Sequence, residues 1–330
     1  METALRPMST SQVLDRTFQL YRRHFALLVG IGVLLPALLL AVQLAFVPLG
    51  WPPRGNEAAN PFALFPVLFG FLGCYFVVYF IGQALTGGAT VYGVAKLHLG
   101  EEVTIGGAYK QVLSRFWRIL GIVILVFLML MVVIIGGEII AIVVVAVFAG
   151  SLKILSGAGG AATGAAIAGV IVAICLFGAA IFVAFLFYVR FSLAVPACML
   201  ERLPVGSALS RSWSLTKGSA GRLMLVYLLA WVLGFALGFV FAVPGQVYAL
   251  AMHGKSFLAG VLLQEIGGFI AGALANPIAA IAVALIYYDQ RVRKEAFDLQ
   301  WMMQSIPSAD LPQPPPPQAP PPAPAATIPQ

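Results

Sequence analysis

Thr104-Ile-Gly-Gly-Ala-Tyr-Lys-Gln-Val-Leu-Ser-Arg-Phe-Trp-Arg118 is the stretch whose reading decides the fold. Its apolar residues Ala108, Tyr109, Val112, Leu113, Phe116 and Trp117 recur at the i, i+1, i+4, i+5 spacing of one helical face. Lys110, Gln111, Ser114, Arg115 and Arg118 take the opposite face, and Thr104 stands where an N-cap belongs. From Ile119 to Leu152 the only formal charge is Glu138. The spacing predicts a basic amphipathic helix over 104–118 that lies along a membrane face and feeds a membrane-spanning helix.

The same unit occurs twice more. Val103-Thr-Ile-Gly-Gly-Ala-Tyr109 aligns without gaps with Leu203-Pro-Val-Gly-Ser-Ala-Leu209, and Arg211, Trp213, Lys217 and Arg222 then precede an apolar run from Leu223. At the N-terminus, Met8-Ser-Thr-Ser-Gln-Val-Leu14 leads through Arg16, Arg22 and Arg23 into an apolar run from Phe25. This copy rests on pattern more than identity. The expectation is three repeat units, near 8–100, 103–190 and 203–290, each with one interfacial helix and one pair of spanning helices.

Hydrophobic residues make up 61% of the chain and charged residues 9%, against about 45–50% and about 25% in soluble domains. The charges sit in short clusters between the uncharged runs Phe25–Gly50, Pro61–Ala95, Ile119–Leu152, Ile154–Val189, Leu223–Gly254 and Ser256–Tyr288, broken only by Glu138 and Glu265. A span needs about 20 apolar residues, so the fold class is an all-α integral membrane protein with six transmembrane helices and three interfacial amphipathic helices.

Orientation follows from the basic residues. The N-terminal segment, the 96–118 and 190–222 connections and the C-terminal segment hold 16 of the 19 Lys and Arg; Arg54, Lys153 and Lys255 fall on the other side. Both termini are expected in the cytoplasm. A third span inside 119–189 would break this asymmetry, so two spans joined by Ser156-Gly-Ala-Gly-Gly160 are expected there. The net charge of +7 then belongs to interfacial helices and not to a nucleic-acid surface. Arg22, Arg23, Arg115, Arg118, Arg211, Lys217, Arg291, Arg293 and Lys294 are the interfacial cations, and anionic lipid head groups of the bilayer are their expected partners.

The first outer loop, 51–57, is short and turn-rich, and the N-terminal apolar run is too long, after too long a polar lead, for a cleavable signal peptide. Asp289 to Gln304 reads as an amphipathic helix along the cytoplasmic face. The segment 305–330, with Pro314-Pro-Pro-Pro317, reads as a disordered or polyproline tail.

The sixth span carries the most unusual polarity. Glu265, Gly268, Gly272 and Asn276 fall at i, i+3, i+7 and i+11, one helical face, with Pro277 directly after. An intramembrane carboxylate normally faces the bundle interior or water. Glu138, late in an outward-running span, is expected at a depth comparable to Glu265 and is its candidate neighbour; Glu138, Glu265 and Asn276 form the candidate intramembrane polar site. His24, His98 and His253 are too scattered for a metal set, and Cys74, Cys175 and Cys198 show no CxxC spacing. No phosphate-binding loop, HExxH or GxSxG motif occurs. No catalytic residue, metal or cofactor is assigned.

Two stretches carry a family resemblance. Leu5-Arg-Pro-Met-Ser-Thr-Ser-Gln-Val-Leu-Asp-Arg-Thr-Phe-Gln-Leu-Tyr-Arg-Arg-His-Phe25 resembles the opening of bacterial proteins of the glycerophosphoryl diester phosphodiesterase membrane-domain family. Tyr287-Tyr-Asp-Gln-Arg-Val-Arg-Lys-Glu-Ala-Phe-Asp-Leu299 resembles the segment that closes many of them. The resemblance covers most of residues 5–300 and implies a membrane architecture. No catalytic barrel follows in these residues, so it transfers no catalytic residue and implies no established activity; an enzyme acting on glycerophosphodiesters rests on the family name alone and ranks last. The expected function is a membrane scaffold, anchor or interaction module with a membrane-protein partner. The alternative is a transporter or lipid-handling protein that uses the polar face around Glu265.

Overall fold

The computed structural model describes residues 8–49, 61–98, 100–154, 160–252 and 257–295. Among them helix is the only extended regular element. The loop at 51–57, the turn at 156–159, the residues 296–304 and the proline-rich tail lie outside the described residues. The elements in chain order are α1 (Thr10–Arg23), α2 (Phe25–Gly32), α3 (Leu34–Phe46), α4 (Pro61–His98), α5 (Ile105–Leu113), α6 (Phe116–Ile154), α7 (Gly160–Phe191), α8 (Ala194–Glu201), α9 (Val205–Thr216), α10 (Ala220–Ala251) and α11 (Phe257–Glu295). Six segments are long and apolar enough to cross a membrane: Phe25–Leu49, Phe65–His98, Phe116–Phe148, Ile167–Glu201, Ala220–Tyr248 and Leu258–Glu295. The order short helix, span, span therefore occurs three times, led in turn by α1, α5 and α9.

Local chemistry accounts for the short helices. Ser9 caps α1 in a capping box with Gln12, and Val13, Thr17 and Leu20 turn one face inward. Thr104 accepts from the Gly107 amide at the start of α5, and Pro204 stands at the aligned cap position of α9. The helix expected over 104–118 is shorter than its apolar pattern: α5 ends at Leu113, and the chain turns at Ser114–Arg115 to start α6 at Phe116. The turn is held by Ser114 Oγ, which donates to Gln111 O at 2.7 Å, and by Arg115, whose Nη1 donates to Met199 O at 2.6 Å. Ala108 and Val112 are buried, while Leu113 and Trp117 are exposed. The connection after α7 is not a plain loop either. It contains α8, with Pro196 in its first turn, where proline costs no hydrogen bond, and with Cys198 and Met199 buried.

The spans pair as hairpins α3/α4, α6/α7 and α10/α11, and α11 is the central helix, packing on α1, α2, α3, α4, α8, α9 and α10. Half of its apolar window is buried, against 11–33% in the other five spans. Small residues permit this close approach. A Cβ added to Gly267 would sit 2.1 Å from the Phe241 carbonyl oxygen, and one added to Gly245 would sit 2.7 Å from the Gln264 amide. The far half of the α6/α7 hairpin stands off from this centre. Val132, Ile139, Ile142 and Ile174 there are all more than half exposed, as a lipid-facing surface allows.

Both ends of the described chain meet at one face. The Met8 amide donates to Asp289 Oδ1 at 2.7 Å, which requires an even number of crossings between them. The segment 289–295 does not lie along the membrane as a separate amphipathic helix; it continues α11 without a break, and Asp289 and Gln290 are buried. Two carboxylate centres bind this end of the bundle together. Asp289 accepts from Arg222 (2.7 Å) and Arg293 (3.0 Å), and both arginines also donate to the Met8 carbonyl. Glu201 of α8 accepts from Arg211 (2.9 Å) and from the Tyr287 hydroxyl; Glu295 accepts from Arg211 (2.7 Å) and Arg291 (3.3 Å). Glu295, with Glu201 behind it, holds the Arg211 guanidinium above its usual range. Lys294 Nζ donates to the carbonyls of Ser214 and Lys217, which end α9.

Candidate functional site

The sixth-span stripe opens onto a cavity. Glu265, Gly268, Gly272 and Asn276 all line a space of about 750 Å³ enclosed by α3, α4, α6, α7, α8, α10 and α11. That volume is within the range of small-molecule sites, about 300–1,000 Å³. At 1.5 Å per residue, Glu265 and Asn276 lie roughly 16 Å apart along α11, so the cavity spans a large part of the hydrocarbon depth.

Two proline–glycine pairs set the wall between span one and span six. A Cβ on Gly32 would come within 2.5 Å of Cγ of Pro277, and a Cβ on Gly272 would come within 3.1 Å of Cγ of Pro36. Each helix thus seats its proline ring against a bare position of the other. Tyrosines from two short helices anchor the same region. Tyr21 of α1 donates to Leu274 O at 3.1 Å, and Tyr109 of α5 donates to Ile31 O at 2.6 Å. Burial raises both phenols above their usual range, so both remain protonated donors at neutral pH.

Polar groups occur at intervals along the cavity. At the far end from the ionic face, Gln43 of α3 and Tyr75 of α4 share the lining with Glu265, Gln43 within side-chain hydrogen-bond reach of it. Gln83, Thr86 and Thr90 follow on α4, opposite Asn276. Tyr188 and Tyr227 meet edge to face at 5.5 Å nearer the ionic face, beside Ser192. The buried hydroxyls of Thr86 and Tyr227 have the hydroxyls of Tyr109 and Ser192 as their polar neighbours. Apolar groups such as Leu39, Phe80, Val126 and Phe127 fill the wall between these levels. Among the described residues the lining contains one acidic side chain and no Lys, Arg or His.

Glu138 is not part of this lining. It is exposed on the outer flank of α6 beside Ile139 and Ile140, one residue after Gly137, whose Cα packs on Ala180 of α7. Equal depth in two helices does not fix which way their side chains point. Glu265 and Asn276 are brought to one cavity, and Glu138 is not brought with them.

The nine basic residues divide. Arg115, Arg118, Arg211, Arg291, Arg293 and Lys294 reach carbonyls or carboxylates of neighbouring helices. Arg22, Arg23 and Lys217 are exposed. The sequence reading did not assign the carboxylates Glu201, Asp289 and Glu295 that the first group serves. The one available signal was the density of alternating charge in Tyr287–Glu295.

The comparison with known proteins takes in that closing segment. Residues 166–302 match the family model of the membrane domain of glycerophosphoryl diester phosphodiesterase. The match takes in α8 to α11 and the whole ionic face contributed by Tyr287–Glu295; residues 5–25, which carried the other half of the resemblance, lie outside it. The matched family is the membrane domain and not a catalytic one, consistent with the membrane architecture read from the sequence. No curated protein and no solved structure matches the chain.

Proposed function

We propose that this multi-pass membrane protein binds an amphiphile in the central cavity and acts as a transporter or lipid-handling protein. The single observation behind this reading is that the only glutamate–asparagine stripe of the sixth span lines a cavity large enough for a ligand. A scaffold has no need of such a space, so the transporter or lipid-handling reading takes precedence over the scaffold reading. Gly268 offers the cleanest test, because a side chain added there meets nothing within 4 Å and would project into the cavity. Native mass spectrometry of protein extracted in lipid nanodiscs should find a retained amphiphile, and Gly268→Leu should lose it while melting at the same temperature. An identical set of retained molecules in both proteins would end the reading.

The orientation belongs to the same proposal. The 16-to-3 division of Lys and Arg supports a cytoplasmic ionic face in a bacterial inner membrane, with Arg22, Arg23, Lys110 and Lys217 directed to anionic head groups. Reporter fusions after Arg118 and Lys217 should read inside, and fusions after Trp51 and Lys255 outside. An inside signal at Lys255 would contradict it.

A further inference from the structure

We propose that the ligand is a hydrophobic cation, an amine- or onium-bearing amphiphile whose positive charge sits beside Glu265 and whose apolar body lies along Phe80 and Phe127. This rests on the reading of the cavity as a binding site and adds the sign of the charge.

The argument begins with the charge balance of the cavity. Glu265 is the one acidic side chain in the lining, and no Lys, Arg or His shares it among the described residues. A carboxylate kept from bulk water needs a partner. Within the protein Gln43 supplies an amide, which satisfies a hydrogen bond but not a charge. Among the described side chains the basic ones lie toward the other end of the bundle, where Glu201, Glu295 and Asp289 hold Arg211 and Arg222. Among the described residues, therefore, nothing at the Glu265 end of the cavity supplies a positive group.

Its surroundings favour an organic cation over a bare ion. Tyr75 and, one turn on, Tyr79 share the lining with Glu265, and Phe80 stands edge to face with Phe127 at 4.9 Å. Aromatic faces attract ammonium and onium groups through their quadrupoles, most strongly where water is scarce. A small hydrated metal ion would need several oxygen ligands, and the lining offers one carboxylate. An anionic head group would meet Glu265 with nothing to offset it. Deeper in the cavity, the side-chain amides of Gln83 and Asn276 give hydrogen bonds to a polar group some distance from the charge.

A charge-matched set of probes tests this: tetraphenylphosphonium, tetraphenylborate and the neutral triphenylphosphine oxide. Each is titrated by equilibrium dialysis against the full chain in phosphatidylglycerol nanodiscs, with empty discs subtracted. Saturable tetraphenylphosphonium binding is expected, weakened about tenfold by Glu265→Gln, the size of one partly desolvated charge contact. Tyr75→Leu leaves the carboxylate in place and should weaken it about threefold, the size of one cation–π contact. Gly268→Leu should abolish it. If the borate or the oxide binds as well, is lost in Gly268→Leu and is indifferent to Glu265→Gln, the cation proposal is overturned and the cavity reading stands. If no probe binds saturably, both fall. Adding phosphatidylethanolamine to the discs separates the sources: competition identifies an amine-bearing lipid as the ligand, and unchanged affinity identifies a free cation.

Discussion

Asp289→Ala will unfold the bundle at a markedly lower temperature, with a loss of about 3 kcal/mol in a reversible denaturant titration in detergent. The side chain of Asp289 has no solvent exposure, and it accepts from Arg222, from Arg293 and from the Met8 amide. Removing it leaves Arg222 facing Arg293 with no counter-charge and frees the start of α1 from the end of α11. The cost is dominated by the unpaired cations left behind and not by the bond removed. Arg293→Ala provides the control: its side chain is 39% exposed, and losing one arm of a partly exposed pair costs about 0–1 kcal/mol. Equal effects from the two variants would show that Asp289 is not the centre of this face.

Gly267→Ala will cost about 2–3 kcal/mol, near the upper end of the usual range for overpacking. The added methyl carbon would lie 2.1 Å from the Phe241 carbonyl oxygen. That atom is backbone, so it cannot rotate away, and α10 and α11 must separate. Gly268→Ala, one position on, meets nothing within 4 Å and should be neutral or slightly stabilising, since alanine favours helix. The difference between these adjacent substitutions reads the helix contact directly. If both melt alike, α10 and α11 do not pack at this register.

These features differ in how well the linear chain shows them. The spans are legible because charge is excluded from lipid, so the clusters at 96–118, 190–222 and 289–295 outline them. The Glu265 stripe is legible because one helix carries it, and its i, i+3, i+7, i+11 spacing puts it on one side of that helix. Gln43 was not, because it is a lone polar residue in an apolar span, and the rotation of one helix relative to another has no local signature; Tyr75, Tyr79, Gln83, Thr86 and Thr90 do recur along one face of the second span, a signal that the sequence carried and the reading passed over. Glu138 shows the same limit from the other direction: a depth estimate brought it level with Glu265, but its azimuth turns it outward. The carboxylates of the ionic face went unassigned for a further reason. Arg211, Arg291 and Arg293 fit a head-group pattern as well as an internal one, and only their meeting with Glu201, Glu295 and Asp289, brought from distant positions, separates the two.

The crossing of the first and sixth spans has a mechanical consequence. Pro36 cannot donate to the Gly32 carbonyl, and Pro277 cannot donate to the Ala273 carbonyl; Ala273 O itself lies 3.6 Å from the point a Cβ of Gly32 would occupy. Two neighbouring rods thus each miss a rung where they cross, while the end of α11 is riveted at the ionic face. Bending stiffness is lowest there. The outer arms, carrying Gln43 and Glu265, can lean like the jaws of a peg about that fulcrum and change the width of the cavity mouth with the rivets undisturbed.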